Sequence, residues 1–316
     1  MRLDQVLPLA VPGESRSRLR RLLDEGRVFV DGVRRRANSR VRPGSRIEIL
    51  YVDRGTLPEG ALEACPEVRV IHEDAQLLVL DKPAGMAVHP GGGKRRVTIA
   101  DFAEEHCGGG LPDPSGEGRP GIVHRLDRFT TGVLVLAKTL EAMNAMQEAF
   151  RRRRVSKEYL ALVYGCPRFL TEWIEEPIGR DPRHPERMRV DRESGKEART
   201  LIEILERFDG LAFLRCRPVT GRTHQIRVHL CSLGHSLVGD TKYRARSAQG
   251  FRLPKEAPIP DRQALHAAGI EFTHPATGER VRFESPLPED MEEFLRWARR
   301  NRPADPGMGG RRRDGR

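Results

Sequence analysis

Residues 124–138, HRLDRFTTGVLVLAK, set a charged turn directly against an apolar strand, and that junction constrains the fold more than any other stretch. Asp127 lies among His124, Arg125 and Arg128. Thr130, Thr131 and Gly132 form a turn, and residues 133–137 are apolar throughout. A carboxylate on a turn that feeds a strand can be held rigidly and presented to a ligand. An isolated Arg-Leu-Asp is commonly a solvated ion pair of little energetic weight, so the tripeptide needs support from elsewhere in the chain.

With 316 residues the chain suits two domains. Charged residues make up 32% and hydrophobic residues 38%, the balance of a water-soluble globular protein. No apolar run approaches the ~20 residues that a membrane span needs. The first residues, Met1-Arg2-Leu3-Asp4, carry charge where a signal sequence would have its apolar segment, so a cytoplasmic location is expected. Lys and Arg number 56 against 45 acids, a net charge of +11, with arginine clusters at 34–36, 151–154 and 311–313. Such an excess points to a polyanionic partner, although arginines on solvated faces give the same composition. No basic amphipathic helix carries bulky apolar residues on its other face, which argues against a membrane surface. The five cysteines are widely spaced and form no C-x-x-C. That pattern argues against a disulfide framework or a zinc ribbon, fits a reducing compartment, and leaves them packing roles.

Four segments follow from pattern. Residues 1–52 form a compact basic unit. Leu3, Val6 and Leu7 have helical spacing; Ser15 or Ser17 can cap a second helix bearing Leu19, Leu22 and Leu23; Gly26 ends it. Val28-Phe29-Val30 then reads as a strand, Asp31-Gly32 as a tight turn and Ile47-Glu48-Ile49 as a closing strand. Residues 53–67 read as a linker. Residues 68–300 carry short strands near 77–80, 157–163, 200–205 and 211–216. A helix capped by Thr139 is expected to carry Leu140, Met143, Gln147 and Phe150 on one face, and another covers 223–233. A hairpin forms around His274-Pro275-Ala276-Thr277-Gly278, and a last helix covers 289–300. Many strands with few intervening helices imply an α+β fold with a mixed, mainly antiparallel sheet. Residues 301–316 form a Gly-Arg-rich tail expected to be disordered.

A second chemistry-bearing string, VTGRTHQIRVHL, covers residues 219–230. On a helix, Arg222, Gln225 and His229 could share one face, and His224 and Arg227 another. His224, His229 and Cys231 fail as metal ligands, because H-x-x-x-x-H does not put two imidazoles on one helical face and no acidic ligand is near. Gly91-Gly92-Gly93-Lys94 lacks the leading glycine of a phosphate loop, and Arg95 stands where Ser or Thr is required, so a flexible loop is expected.

Three strings, HRLDRFTTGVLVLAK, KEYLALVYG and VTGRTHQIRVHL, occur in the order found in pseudouridine synthases of the Rlu type, and the chain resembles that family. KPAGMAVHPG, RQALHAAGIEF and FTHPATGE extend the resemblance over residues 68–297. The N-terminal unit, with its Ser-Arg-rich helix and G-x-V-x-V-D-G, resembles the S4 RNA-binding domain. The resemblance implies an isomerase of uridines in RNA, chiefly ribosomal RNA of the large subunit with transfer RNA also possible, working without a metal or other cofactor. It implies that Asp127 is the catalytic carboxylate, that Tyr159 is the active-site tyrosine and that Arg222 pairs with the aspartate. It further implies that Arg125 enters the RNA where the target base leaves, or else clamps a phosphate, and that Ile226 lies beside the base. In the S4-like unit, Arg16, Arg18, Arg20, Arg21 and Arg27 become candidates for phosphate contacts. A monomer that binds RNA and no membrane is expected.

Physical chemistry is consistent with those roles. Detaching uracil, turning it and rejoining it through carbon is redox-neutral. A single carboxylate can serve as base or as nucleophile. Tyr159 offers a ring to stack on uracil and a hydroxyl to relay a proton. The target must leave its stack to expose the glycosidic bond. A hydrolase built on Asp127 lacks a well-placed second carboxylate. A non-catalytic RNA-binding protein would need only the basic N-terminal unit, not the Asp-Tyr-Arg set. Phe129, Ser236 and Arg244 depart from the family's usual pattern and bear on substrate choice rather than on the chemistry.

Overall fold

The computed structural model describes residues 1–11, 16–24, 26–50, 61, 64–90, 96–116, 118–245 and 251–304, without the side chains of 17, 18 and 21. Most of the expected linker, the 91–94 run and the tail from 305 lie outside the described residues.

The N-terminal unit has two helices, α1 (Leu3–Ala10) and α2 (Arg16–Asp24), on a three-stranded sheet of β1 (Val28–Val30), β2 (Val33–Arg34) and β3 (Ile47–Ile49) in the order β2-β1-β3. Leu3 and Leu7 meet Leu19, Leu22 and Leu23 in a core with Val28 and Val30. The spacing i, i+3, i+4 places those leucines on one helical stripe. Gly26 leaves α2 at φ 68°, and Asp31 and Gly32 (φ 54° and 73°) turn β1 into β2. That is the left-handed backbone a two-residue hairpin requires.

The larger unit is built on a nine-stranded sheet. Its members are β4 (Arg69–Glu73), β5 (Leu77–Lys82), β6 (Thr131–Ala137), β7 (Ser156–Tyr164), β8 (Thr171–Ile174), β11 (Thr200–Phe208), β12 (Leu211–Pro218), β13 (Leu265–Thr273) and β14 (Arg280–Glu284). Its order is β4-β5-β6-β13-β7-β12-β11-β8, with β14 paired to the second half of β13. A separate short hairpin joins β9 (Ile178–Arg180) to β10 (Met188–Val190). Every pairing in the large sheet is antiparallel except β6 with β13. The mixed, mainly antiparallel sheet read from the sequence is therefore present.

The apolar runs are explained by burial on both faces. Alternate residues of β5 and β6 point to opposite sides. Leu77, Val79, Val133 and Val135 pack with Met143 and Met146 of α4 (Leu140–Arg151), while Leu78, Leu80, Leu134 and Leu136 pack with Ile99 and Ala103 of α3 (Ile99–His106). Each such side chain contributes about 1.5–3 kcal/mol by leaving water. The buried face of α4 is Ala142, Met143 and Met146; Leu140 and Gln147 are exposed because the helix turns them away from β6. Thr139 caps α4 as expected, accepting from the Ala142 N–H at 3.2 Å. At the other end of the sheet, Met291, Phe294, Leu295 and Ala298 of α6 (Glu289–Asn301) pack on Leu162, Leu211 and Phe213.

Thr131 and Gly132 belong to β6 rather than to the turn before it. Gly132 takes φ 108°, and any Cβ there would collide with the Ala267 backbone. A glycine is what lets β6 approach β13 closely enough for the parallel pairing His266↔Thr131 and Ala267↔Gly132. Asp127 is thereby set just ahead of a strand clamped at its first two residues.

Candidate active site

A cavity of about 520 Å³ opens where the loop 123–130, the end of α4, the start of β7 and residues 218–227 converge. Asp127 lines it, and the loop carrying Asp127 is tied down at consecutive residues. The Asp127 carbonyl accepts from the Thr130 N–H at 3.0 Å. Lys82 Nζ donates to the Arg128 carbonyl at 3.0 Å, and Arg262 Nη1 to the Phe129 carbonyl at 3.2 Å. Arg128 Nε reaches back to the Gly85 carbonyl at 2.6 Å. Lys82 is fully buried and also donates to the Pro83 and Met86 carbonyls, at 2.7 and 2.9 Å. Burial pushes its ammonium down to about 7, and the charge of Arg262 adds to the fall. A buried cation with three carbonyl acceptors is a rigid joint, since buried polar groups are costly to leave unpaired.

The ion-pair partner of Asp127 is Arg227, whose Nη1 lies 2.9 Å from Oδ2. The same guanidinium donates to both oxygens of Asp240, at 2.7 and 3.0 Å, and its carbon lies 4.9 Å from the centre of the Tyr243 ring. Asp240 is buried and also accepts the Lys242 and Tyr243 N–H groups. A planar guanidinium fixed bidentately on one side has little freedom left to reorient on the other. Arg227 thus offers Asp127 a preset partner.

Arg222, expected in that role, is not beside Asp127. Its Nε donates to the Glu197 carbonyl at 2.9 Å, and its own N–H goes to Gln225 Oε1. The reason is local. The helix α5 (Gln225–Ser232) begins after Arg222, which therefore sits in the preceding turn and runs out along the cavity rim. Arg227 lies in the first turn of α5, whose residues 225–230 are all buried. A polar helix buried this thoroughly must satisfy its side chains internally. Gln225 bonds to Thr220, Thr200 and the Arg199 carbonyl, and His229 to Thr200 and the Glu176 carbonyl. The shared face of His224 and Arg227 was visible in the sequence; the choice between two arginines five residues apart was not, because it depends on where the helix starts.

Tyr159 sits on β7, paired to Cys216 of β12 on one side and Ala267 of β13 on the other, and it lines the cavity. Burial, and then the charge of Asp127, push its phenol upward, so it stays protonated at neutral pH. Ile226 is buried against Ala161, Leu265 and Tyr159 and also faces the cavity. Arg125 is exposed and lines the same cavity. His224, at φ 56°, places Nδ1 2.7 Å from the Tyr243 hydroxyl and Nε2 3.9 Å from Asp127 Oδ2. The Tyr243 oxygen accepts the Met188 N–H at 2.8 Å. When its own proton goes to Nδ1, the imidazole hydrogen is left on Nε2, facing Asp127. Burial pushes His224 down to about 4, so the ring is neutral near pH 7. Lys82, His224, Arg227, Asp240 and Tyr243 thus join the site, and Lys157 lines the same cavity, although the sequence motifs assigned none of them a role.

The N-terminal arginines are elsewhere. Arg16 and Arg20 are exposed on α2, with Arg20 paired to Asp24 at 3.3 Å, and Arg27 is half-buried after the helix. The side chains of Arg18 and Arg21 lie outside the described residues.

A strand-borne tyrosine, a carboxylate tied into its loop and a fixed guanidinium thus share one basic cavity on this sheet. Residues 76–232 match the RNA pseudouridylate synthase family and residues 1–47 match the S4 domain. The chain is 41% identical over 303 residues to the ribosomal large subunit pseudouridine synthase D of Nitrosomonas europaea, covering 96% of this chain and 86% of that protein. It is 40% identical to the protein of the same description from Pseudomonas aeruginosa, covering 96% and 93%. Among solved structures, human RNA pseudouridylate synthase domain containing 4 superposes with a TM-score of 0.56 at 26% identity, covering 73% of this chain and 92% of that one. The chain belongs to the RNA pseudouridine synthase family, whose members are isomerases, and carries an S4 RNA-binding domain at its N-terminus. Among the described residues no helix is long and apolar enough to cross a membrane.

Proposed function

We propose that this protein converts specific uridines of large-subunit ribosomal RNA to pseudouridine, with Asp127 as the catalytic carboxylate, acting as a cytoplasmic monomer. The observation that carries the reading is Asp127 held 2.9 Å from a guanidinium that is itself anchored on Asp240, in a cavity wide enough for a nucleotide. The names of its relatives from Nitrosomonas and Pseudomonas support the ribosomal substrate. In the reaction the N1–C1′ bond breaks, a C5–C1′ bond forms, C5 loses a proton and N1 gains one. The atoms balance without any cofactor. Asp127 serves as base at the sugar or as nucleophile toward the sugar or the base; each route draws on one carboxylate. Tyr159 stacks on the uracil and hands on a proton, and Ile226 supports the ring from the side. Arg125 takes the space left in the RNA by the departed base, and Arg222 holds the strand at the rim. In the S4 domain, Arg16, Arg18, Arg20, Arg21 and Arg27 contact phosphates.

Mapping of pseudouridine in total RNA from cells with and without this gene tests the reading. Loss of one or a few large-subunit sites is expected, and their return with the wild-type gene but not with Asp127→Asn. An unchanged map, or full restoration by Asp127→Asn, would overturn it.

A further inference from the structure

The cavity holds a cation that the chemistry does not use. Lys157 lies two residues before Tyr159 on β7, so both side chains leave the same face of the sheet, roughly 7 Å apart along the strand. Its Nζ donates to the Thr220 carbonyl at 3.1 Å. Among the described residues it has no carboxylate within ion-pair distance, and burial alone pushes it down, to about 8. Lys157 is half-buried, and an ammonium drawn partly out of water costs free energy unless an anion compensates it. Asp127, the one carboxylate among the described residues lining the cavity, is already committed to Arg227. Arg125 and Arg222 line the same cavity, and Arg222 is held by a carbonyl, not by an acid. The ammonium is also approachable. Gly221 beside it has no side chain, and even a Cβ there would stand 3.9 Å from Nζ. A site with unmatched positive charge beside a base-stacking tyrosine expects its anion from the ligand.

We propose that Lys157 binds the backbone phosphate of the nucleotide whose uracil enters the cavity. This rests on the isomerase reading above and adds to it the anion subsite. The base lies against Tyr159 and Ile226, the ribose faces Asp127, and the phosphodiester on one side of that ribose meets Nζ. Lys157 thereby fixes the depth to which the flipped nucleotide enters, and takes no part in bond making.

The test combines a charge removed from the protein with a charge removed from the RNA. Lys157→Gln keeps a donor for the Thr220 carbonyl and loses the charge; Lys157→Arg keeps the charge. The substrate is a synthetic oligoribonucleotide spanning the uridine located by the mapping above. It carries an ordinary linkage or a neutral methylphosphonate on the 5′ or the 3′ side of that uridine. On ordinary RNA, Lys157→Gln should lose about tenfold in kcat/KM, chiefly through KM, with Lys157→Arg recovering part of it. The wild-type protein should lose about as much with the methylphosphonate on one side, and Lys157→Gln should lose no more with it, because the two removals delete one contact. Equal activity of Lys157→Gln and wild type on ordinary RNA overturns the proposal, and so do losses that multiply. Should the glutamine variant fail to fold, the wild-type protein alone still decides: full activity with the neutral linkage on either side overturns it. Absence of product from the wild-type protein on any unmodified RNA is a different result, the failure of the isomerase reading itself.

Discussion

Two arginines five residues apart, Arg222 and Arg227, have different partners, and the contacts around each explain why. Arg227 is fixed by Asp240 on one side and meets Asp127 on the other; Arg222 is held by the Glu197 carbonyl at the rim. Replacing Arg227 by Met should lower kcat by about 100-fold or more, since a preset charge beside the reacting carboxylate is lost. Replacing Arg222 by Met should act mainly on KM and by less than about tenfold, as loss of one strand contact does. Steady-state kinetics of both variants separate the assignments, and the reverse order of effects would return Arg222 to the centre. Asp240→Asn keeps the shape but weakens the bidentate hold. It should cost about tenfold in kcat while KM changes little, because the positioning of Arg227 suffers and not the contact with RNA. An Asp240→Asn enzyme with wild-type kcat would show that Arg227 needs no anchor. That Asp127, Tyr159 and Ile226 share one cavity was legible, because their strings name them together. The partner of Asp127 was not, because a guanidinium's direction depends on the helix start and on Asp240, thirteen residues further along the chain.

The decisive element is the junction of the 123–130 loop with β6. Strand positions were legible from apolar runs, since β5 and β6 are buried on both faces and have few polar residues to confuse the pattern. The buried face of α4 was less so: its polar Gln147 and apolar Leu140 share a face that turned out to be exposed, and only packing against β6 selects the other. The role of Lys82 could not be read at all, because its three carbonyl acceptors come from two segments far apart in sequence. Removing it by Lys82→Met would leave the Pro83, Met86 and Arg128 carbonyls buried without their donor. Loss of about 3 kcal/mol of stability is expected, together with reduced activity, because the Arg128 carbonyl is one residue from Asp127. Urea denaturation of wild type and variant measures the first effect. A Lys82→Met protein as stable as wild type would mean that the loop is held by Arg262 and Gly85 alone.

Across the whole molecule, several interior histidines are held in the neutral form, and together they set an acid limit. His124 accepts the Val135 N–H at Nε2 and stacks on Phe150 at 4.8 Å. His266 joins Thr131 to the Ser285 carbonyl, bridging β6 and β13 to the chain beyond β14. His229 joins Thr200 to the Glu176 carbonyl. Burial lowers all of these: His124 to about 3, helped by the charge of Lys157, and His266 and His229 in the same direction. His224 falls to about 4, where burial, Arg227 and Lys242 outweigh the opposing charges of Asp127 and Asp240. In the unfolded chain a histidine titrates near 6.5. Below that pH the unfolded state takes up protons that the folded state refuses, so stability is complete above about 6.5 and is lost as the pH falls toward 4 and then 3. His124 and His224 should each remove about 2 kcal/mol by pH 4.5. Urea denaturation at pH 7 and 4.5 reads the loss directly. In His124→Gln, whose amide oxygen can still accept the Val135 N–H, the difference between the two pH values should shrink by about 2 kcal/mol. A difference as large as that of the wild type would place the acid sensitivity in groups other than His124.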